Sequence, residues 1–309
     1  MRNQAKSIII LIFFIICFYL DFKAYLFNPW LTGFSVAASA FALYISSEQF
    51  LDNSRGFGSR HGLRGRHVGF YLVSAAAIVD EIFVISIALY RGFGEIAYGT
   101  IQGSNVISLA LFLVMLPLMY RAPLEENRKD SLVILVSAVL LLLAILFFRI
   151  VTPQEVGVAL LILFAAYLFS DIRATGTENP YVEDENVYSI PSMVLDVATL
   201  FVASDLLVIQ TGEIEAHLRI SGFIAGFLFP GIVGTLPEIV MFVLSHRRYN
   251  QEATVGVVTG TTIYKGTLLL GIAMVISDVN VASGYESVYA LILLAIVLFA
   301  YSLLARKKA

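Results

Sequence analysis

The chain matches itself at a fixed offset of 157 residues, and the matched positions include charged residues and glycines set among apolar ones. Ser47-Glu48 returns as Ser204-Asp205, Gly69-Phe70 as Gly226-Phe227, Glu81-Ile82 as Glu238-Ile239, Glu95 as Glu252, and Gly99 and Gly103 as Gly256 and Gly260, with no gap. Segments rich in Leu and Ile match by chance, so the glutamates and glycines carry the weight. Two related halves, each holding a carboxylate inside an apolar stretch, point to an internally repeated helical membrane protein of the transporting kind.

A hydrophobic fraction of 59% with 14% charged residues excludes a soluble domain, which needs far more polar surface. A membrane helix needs about 20 residues to cross the hydrocarbon core, so roughly ten spans fit this length. Apolar runs read as spans at about 8 to 28, 30 to 50, 67 to 91, 96 to 119, 131 to 150, 155 to 172, 188 to 211, 219 to 245, 252 to 277 and 286 to 305. With the N-terminus inside, fifteen basic residues fall on the cytoplasmic side (Arg2, Lys6, Arg55, Arg60, Arg64, Arg66, Arg121, Arg128, Lys129, Arg173, Arg247, Arg248, Arg306, Lys307, Lys308). Four fall outside: Lys23, Arg91, Arg149 and Arg219. That bias supports both the span count and an orientation with both termini cytoplasmic, in the cell membrane.

Residues 1–29 read as an extra N-terminal transmembrane helix or an uncleaved signal-like segment. The run Ile8 to Leu20 is short, but bulky Phe22 to Trp30 offers no small-residue cleavage site. Residues 30–172 form the first repeat, 173–187 an acidic cytoplasmic linker with Glu178, Glu183, Asp184 and Glu185, and 188–309 the second repeat, one helix short. Five spans separate the repeat starts, and an odd number inverts the second unit. The expected fold is an all-α polytopic membrane protein of about ten helices, built from two inverted-topology, five-helix-type repeats.

Other chemistries lack residues to carry them. The net charge of -3 and scattered basic residues give no nucleic-acid surface, and Cys17 has no intrachain partner. His61, His67, His217 and His246 have no paired metal spacing, and neither HExxH nor a Ser/His/Asp or Cys/His arrangement occurs in or near the spans, so no enzyme activity is expected. Inorganic cations and membrane lipid are the expected partners; the residues leave the oligomeric state open.

The repeat's polar residues cluster at two places. Gly234-Thr235-Leu236-Pro237-Glu238 interrupts a span in the second half, followed by Gly256-Val257-Val258-Thr259-Gly260-Thr261-Thr262-Ile263. The first half has Asp80-Glu81, then Gly99-Thr100-Ile101-Gln102-Gly103-Ser104-Asn105-Val106. Pro237 lacks an amide proton and, with Gly234, breaks the helix, freeing carbonyls that can ligate a hard cation. Carboxylate, hydroxyl and carbonyl oxygens suit calcium, which takes six to eight such donors.

The pattern resembles the alpha-repeat of the sodium/calcium exchanger superfamily, with its GTSxPE-like helix break and GNxxGSN-like following segment; Ser47-Glu48 and Ser204-Asp205 match the Ser-Asp that ends each repeat's first helix. The resemblance implies a transporter exchanging calcium for sodium or protons by alternating access, without a cofactor. It makes Glu81 and Glu238 the calcium ligands and coupling acids, with Ser104, Thr261 and Thr235 as hydroxyl positions. Glu48 and Asp205 read as helix-end charges rather than ligands.

The chain also departs from that pattern. Ala76, Ala77, Ile78 and Asp80 stand where the family has Gly, Thr, Ser and Pro, which removes a hydroxyl and adds an acid. Thr100 and Ser108 replace expected asparagines, and Lys265 occupies the position equivalent to Ser108. Lys265 reads either as a tethered substitute for a monovalent cation or as a salt bridge to Asp80. A degenerate exchanger-fold protein with a scaffold or sensing role, without coupled transport, is the alternative reading. Residues 8 to 28 are expected to pack where the missing final helix would lie, against the second repeat.

Overall fold

The computed structural model describes residues 2–23, 28–60, 76, 78–116, 128–147, 150–174, 188–239, 258–277 and 279–304. Helices account for nearly all of them, because in hydrocarbon every backbone N–H and C=O must be satisfied within its own segment. The elements are α1 (Arg2–Lys23), α2 (Pro29–Arg60), α3 (Val79–Tyr90), α4 (Gly94–Met115), α5 (Arg128–Leu146), α6 (Pro153–Ala174), α7 (Ile190–Leu218), α8 (Gly222–Leu228), α9 (Pro230–Gly234), α10 (Val258–Ile276) and α11 (Tyr285–Leu304). Among the described residues, eight helices are long and apolar enough to cross a membrane. The two other expected spans, 67 to 91 and 219 to 245, are described only as α3 and as α8 with α9. The acidic residues of the linker, Glu252 and Gly256 lie outside the described residues.

Polar residues at helix starts fix where the helices begin. Before α6, Thr152 Oγ1 accepts from Glu155 N (3.3 Å) while Glu155 Oε2 accepts from Thr152 N (2.8 Å), a reciprocal cap. Ser189 and Ser221 cap α7 and α8 in the same sense, and Pro191 follows near the start of α7. The α7 helix runs past the expected end at 211 to Leu218, so Asp205 lies inside it rather than at its end. Asp205 takes two 2.6 Å hydrogen bonds from Arg91 at the end of α3. Glu48, its counterpart in the first half, pairs with Lys6 of α1 at 3.1 Å.

The bundle is closed by contacts between halves. Helix α4 crosses α8 at backbone distance: a methyl group at Gly103 would stand 2.7 Å from the Phe227 carbonyl oxygen, and one at Gly226 would collide with the Ile96 backbone. The glycines thus remove side chains where two helices of different repeats meet. Helix α2 lies along α7, and α6 along α10. The first helix packs on α2 and on α7, the opening helix of the second half, with Gln49 bridging Ser7 and Ser192. It turns Ile10, Cys17 and Leu20 inward and leaves Ile8, Leu11, Ile15 and Phe18 facing outward, as lipid contact requires.

Candidate ion-binding site

Both breaks form at the same repeat position although their residues differ. In the second half the chain leaves α9 at Gly234, turns at Thr235 and becomes helical again, with Ile239 N donating to Thr235 O at 3.0 Å. In the first half the turn falls at Ile78, and Ile82 N donates to Ile78 O at 2.9 Å. Pro237 explains the second turn, since it cannot donate to the carbonyl one turn before it. The first has no proline; α3 instead begins with Asp80 and Glu81 in its opening turn, where free N–H groups and the positive helix end favour acidic side chains.

Each turn delivers its glutamate to the interior. Glu81 and Glu238 are 2% exposed, and Lys265 is fully buried between them. Lys265 Nζ donates to Glu238 Oε1 at 2.9 Å and to Glu81 Oε1 at 3.3 Å, joining the two repeats through one ammonium. Of the two sequence readings of Lys265, the salt bridge to Asp80 is therefore not the one formed: its ion pairs among the described residues are with the glutamates. Asp80 points a full helical step away from Glu81, about 100° around the axis. It nevertheless lies close enough to feel the charges of Glu81, Glu238 and Lys265, and its Oδ1 is buried without a hydrogen-bond partner.

Small residues and a widened turn make room for this cluster. A methyl group at Gly234 would stand 2.5 Å from Glu81 Oε1, so the glycine of the second break is what admits the carboxylate of the first. Lys265 sits in a π-helical stretch, Tyr264–Leu269, whose wider turn interrupts α10; the matching part of α4 stays α-helical. Taking carboxylates and an ammonium out of water costs several kcal/mol per ion even after relaxation, which mutual pairing offsets only with good geometry.

The other expected residues are all buried and differ in their hydrogen-bond partners. Ser104 is fully buried, and its hydroxyl donates to Ile101 O at 3.3 Å. Thr261 and Thr235 are buried and donate to Val258 O (3.1 Å) and Ile232 O (2.7 Å), leaving only oxygen lone pairs for a ligand. Ser108 is buried with its Oγ unpartnered. Glu81 Oε2 and Glu238 Oε2 are unpartnered as well, so the ammonium engages one oxygen of each carboxylate and leaves the other.

Asn105 belongs to this region, although it stood in the sequence only as one member of the segment from Gly99 to Val106. Its side chain is fully buried with both polar atoms unpartnered, and its Nδ2 faces Gly266, next to Lys265. A buried amide in an apolar span was the signal that could have placed it. Across the same glycine lies Ser137 of α5, whose hydroxyl donates to Ile134 O. Among the described residues no group of three or more His, Cys, Asp or Glu side chains could hold a metal ion, so any ion held here would depend on mixed oxygen donors.

Apolar helices long enough to span a membrane, enclosing a polar interior drawn from both halves, define an integral membrane protein. The chain belongs to the sodium/calcium exchanger protein family, whose model matches residues 31–172 and 189–308. It is 28% identical over 139 residues to the sodium/calcium exchanger MaX1 of Methanosarcina acetivorans, covering 44% of this chain and 39% of that one. It shares its fold with the solved H+/Ca2+ exchanger CAX at a TM-score of 0.66 and 13% identity, over 98% of this chain and 93% of that chain. The sodium-calcium exchanger NCX_Mj superposes at a TM-score of 0.57 and 20% identity, over 89% and 92%.

Proposed function

We propose that this protein exchanges calcium for a monovalent cation, sodium or protons, across the cell membrane by alternating access between two inverted repeats, with Glu81 and Glu238 as the ion-coupled pair. The observation that carries the reading is the convergence of these two glutamates, 157 positions apart in the sequence, on one buried point with a free oxygen on each. Calcium and its counter-ion would compete for the same carboxylates, since an unneutralised pair crosses a low-dielectric barrier only at high cost. Asp80, Asn105 and Ser108 carry further buried oxygens without a partner, and Ser104, Thr235 and Thr261 are buried hydroxyls. The names of the relatives support both counter-ions: MaX1 and NCX_Mj are sodium/calcium exchangers, and CAX is an H+/Ca2+ exchanger.

One observation favours the second reading, a scaffold or sensor without coupled transport. Lys265 already pairs with both glutamates, as it would in a protein that keeps the fold and moves nothing. Uptake of labelled calcium into vesicles, run separately under sodium and pH gradients, separates the readings. Accumulation under either gradient supports exchange, and no accumulation under both supports the scaffold.

A further inference from the structure

A second buried acid lies apart from the glutamate pair. Asp196, in the second turn of α7, is 0% exposed, and among the described residues it shares no hydrogen bond or ion pair with Glu81, Glu238 or Lys265. Helices α2 and α7 face each other here with polar residues four apart, Gln49 and Asn53 on one and Ser192 and Asp196 on the other. Asn53 Nδ2 donates to Asp196 Oδ2 at 3.2 Å, and Asn53 Oδ1 accepts from Ser189 N at 3.2 Å, which fixes the direction of the amide. Gln49 Nε2 donates to the hydroxyls of Ser192 and of Ser7 on α1. Two oxygens are left over: Asp196 Oδ1 and Gln49 Oε1 are buried without a hydrogen-bond partner, and Gln49 as a whole is 4% exposed. Ser46, one turn before Gln49 on α2, is fully buried with its hydroxyl unpartnered as well.

Among the described residues no basic side chain pairs with this acid. Lys6 is near enough for its charge to be felt, but its ammonium is paired with Glu48 at 3.1 Å and Asp52 at 3.6 Å on the more exposed side of α2. A buried carboxylate without a partner charge costs several kcal/mol, so such groups are paired, protonated or on a metal ion. A proton on Oδ1 would bring an O–H with no acceptor in reach, whereas a cation would use the lone pairs that Asp196 Oδ1 and Gln49 Oε1 leave idle. The donor set also selects the ion. One full charge with neutral amide and hydroxyl oxygens balances a hard monovalent cation; calcium would leave a second positive charge in a buried place.

We propose that Asp196 and Gln49, with the Ser7 and Ser192 hydroxyls, form a second cation site that takes sodium or a monovalent cation of its size and ties α1 to the opening helices of both halves. The site is separate from the glutamate pair and does not depend on which ions that pair carries.

The test is thermal melting of the full chain in detergent with calcium chelated, in sodium chloride against choline chloride at equal ionic strength. Sodium is expected to raise the melting temperature of the wild type by at least about 3 °C, to do the same in Glu238→Gln, and to raise that of Asp196→Asn by less than about 1 °C. No sodium shift in the wild type would overturn the inference, a water or a proton then serving the acid. A shift that survives in Asp196→Asn, or that is lost in Glu238→Gln, would place the sodium elsewhere and overturn it too. A shift given equally by calcium in choline, and lost in Asp196→Asn, would make the site divalent and overturn the assignment. If Asp196→Asn cannot be recovered folded, Gln49→Leu decides: it keeps the charge, removes one amide oxygen, and is expected to raise the half-saturating sodium concentration at least about threefold. An unchanged concentration would overturn the inference. These melts read no calcium transport, so this inference and the exchange reading stand or fall separately.

Discussion

The two helix breaks reach the same geometry from different residues. Gly-Thr-Leu-Pro-Glu turns at Thr235 through a proline and a glycine; Ala-Ile-Val-Asp-Glu turns at Ile78 with neither. The hydrogen bonds that restart the helix, Ile82 to Ile78 and Ile239 to Thr235, are repeat equivalents. Backbone shape has thus been kept while chemistry has diverged: the first half adds Asp80, and the second adds Lys265 on a π-helical turn where the first has Ser108 on a regular helix. The half that lost its proline keeps Asn105, and the half that gained a lysine supplies the glycine, Gly234, against which Glu81 rests. The halves meet where Lys265 pairs with Glu81 and Glu238.

The sharpest way to break that interdependence is to remove the shared residue. Lys265→Met leaves two buried carboxylates facing each other, and removing one partner of a buried pair costs about 3–5 kcal/mol. A large drop in the melting temperature of detergent-solubilised protein is expected, and Glu81→Gln in the same chain should restore part of it. Equal additive losses in the double variant would mean that the halves are not joined at this point.

A smaller effect separates the straight helix from the widened one. Gly103→Ala would press a methyl group against backbone at 2.7 Å, whereas Gly266→Ala meets the movable end of Asn105 at 3.2 Å. The first is expected to cost about 1–3 kcal/mol and the second less, read from the same melting curves. The smallest difference concerns the repeat-equivalent acids on α2 and α7. Arg91→Gln breaks a bidentate pair that is partly exposed and should cost about 1 kcal/mol or less, and Lys6→Gln, whose partner Glu48 is 41% exposed, should cost still less. A reversed order would show that the charge on α2 holds the bundle more strongly than the one on α7.

Much of this arrangement was legible in the residues. The 157-residue offset located Glu81 and Glu238, and the apolar runs located the eight helices long enough to span among the described residues, because both signals are written locally as charge and glycine placement in hydrophobic sequence. The reach of α7 to Leu218 was hidden, since Gly212 and acidic Glu213 and Glu215 look like a helix end although the backbone continues through them. The π-helical turn left no trace in residue type, as Tyr264-Lys265-Gly266-Thr267 fits an ordinary helix equally well. Which carboxylate Lys265 would choose depended on that turn: a one-residue change in helical phase moves an ammonium from one neighbour to another, and sequence spacing alone counts in regular helical steps. The seat of α1 on α2 and α7 rests on contacts such as Gln49 with Ser7, which join segments far apart in the chain.

Glu81 and Glu238 together are the proposed ion-coupled pair. Labelled calcium uptake should be compared in vesicles holding equal amounts of wild type, Glu81→Gln and Glu238→Gln, with an outward gradient of sodium or of protons. Wild type should accumulate calcium under at least one gradient, and each variant should fall at least about tenfold below it, the loss of one full charge in a low-dielectric site being worth more than the roughly 1.4 kcal/mol that a tenfold change represents. Uptake at the wild-type rate by both variants would contradict the account.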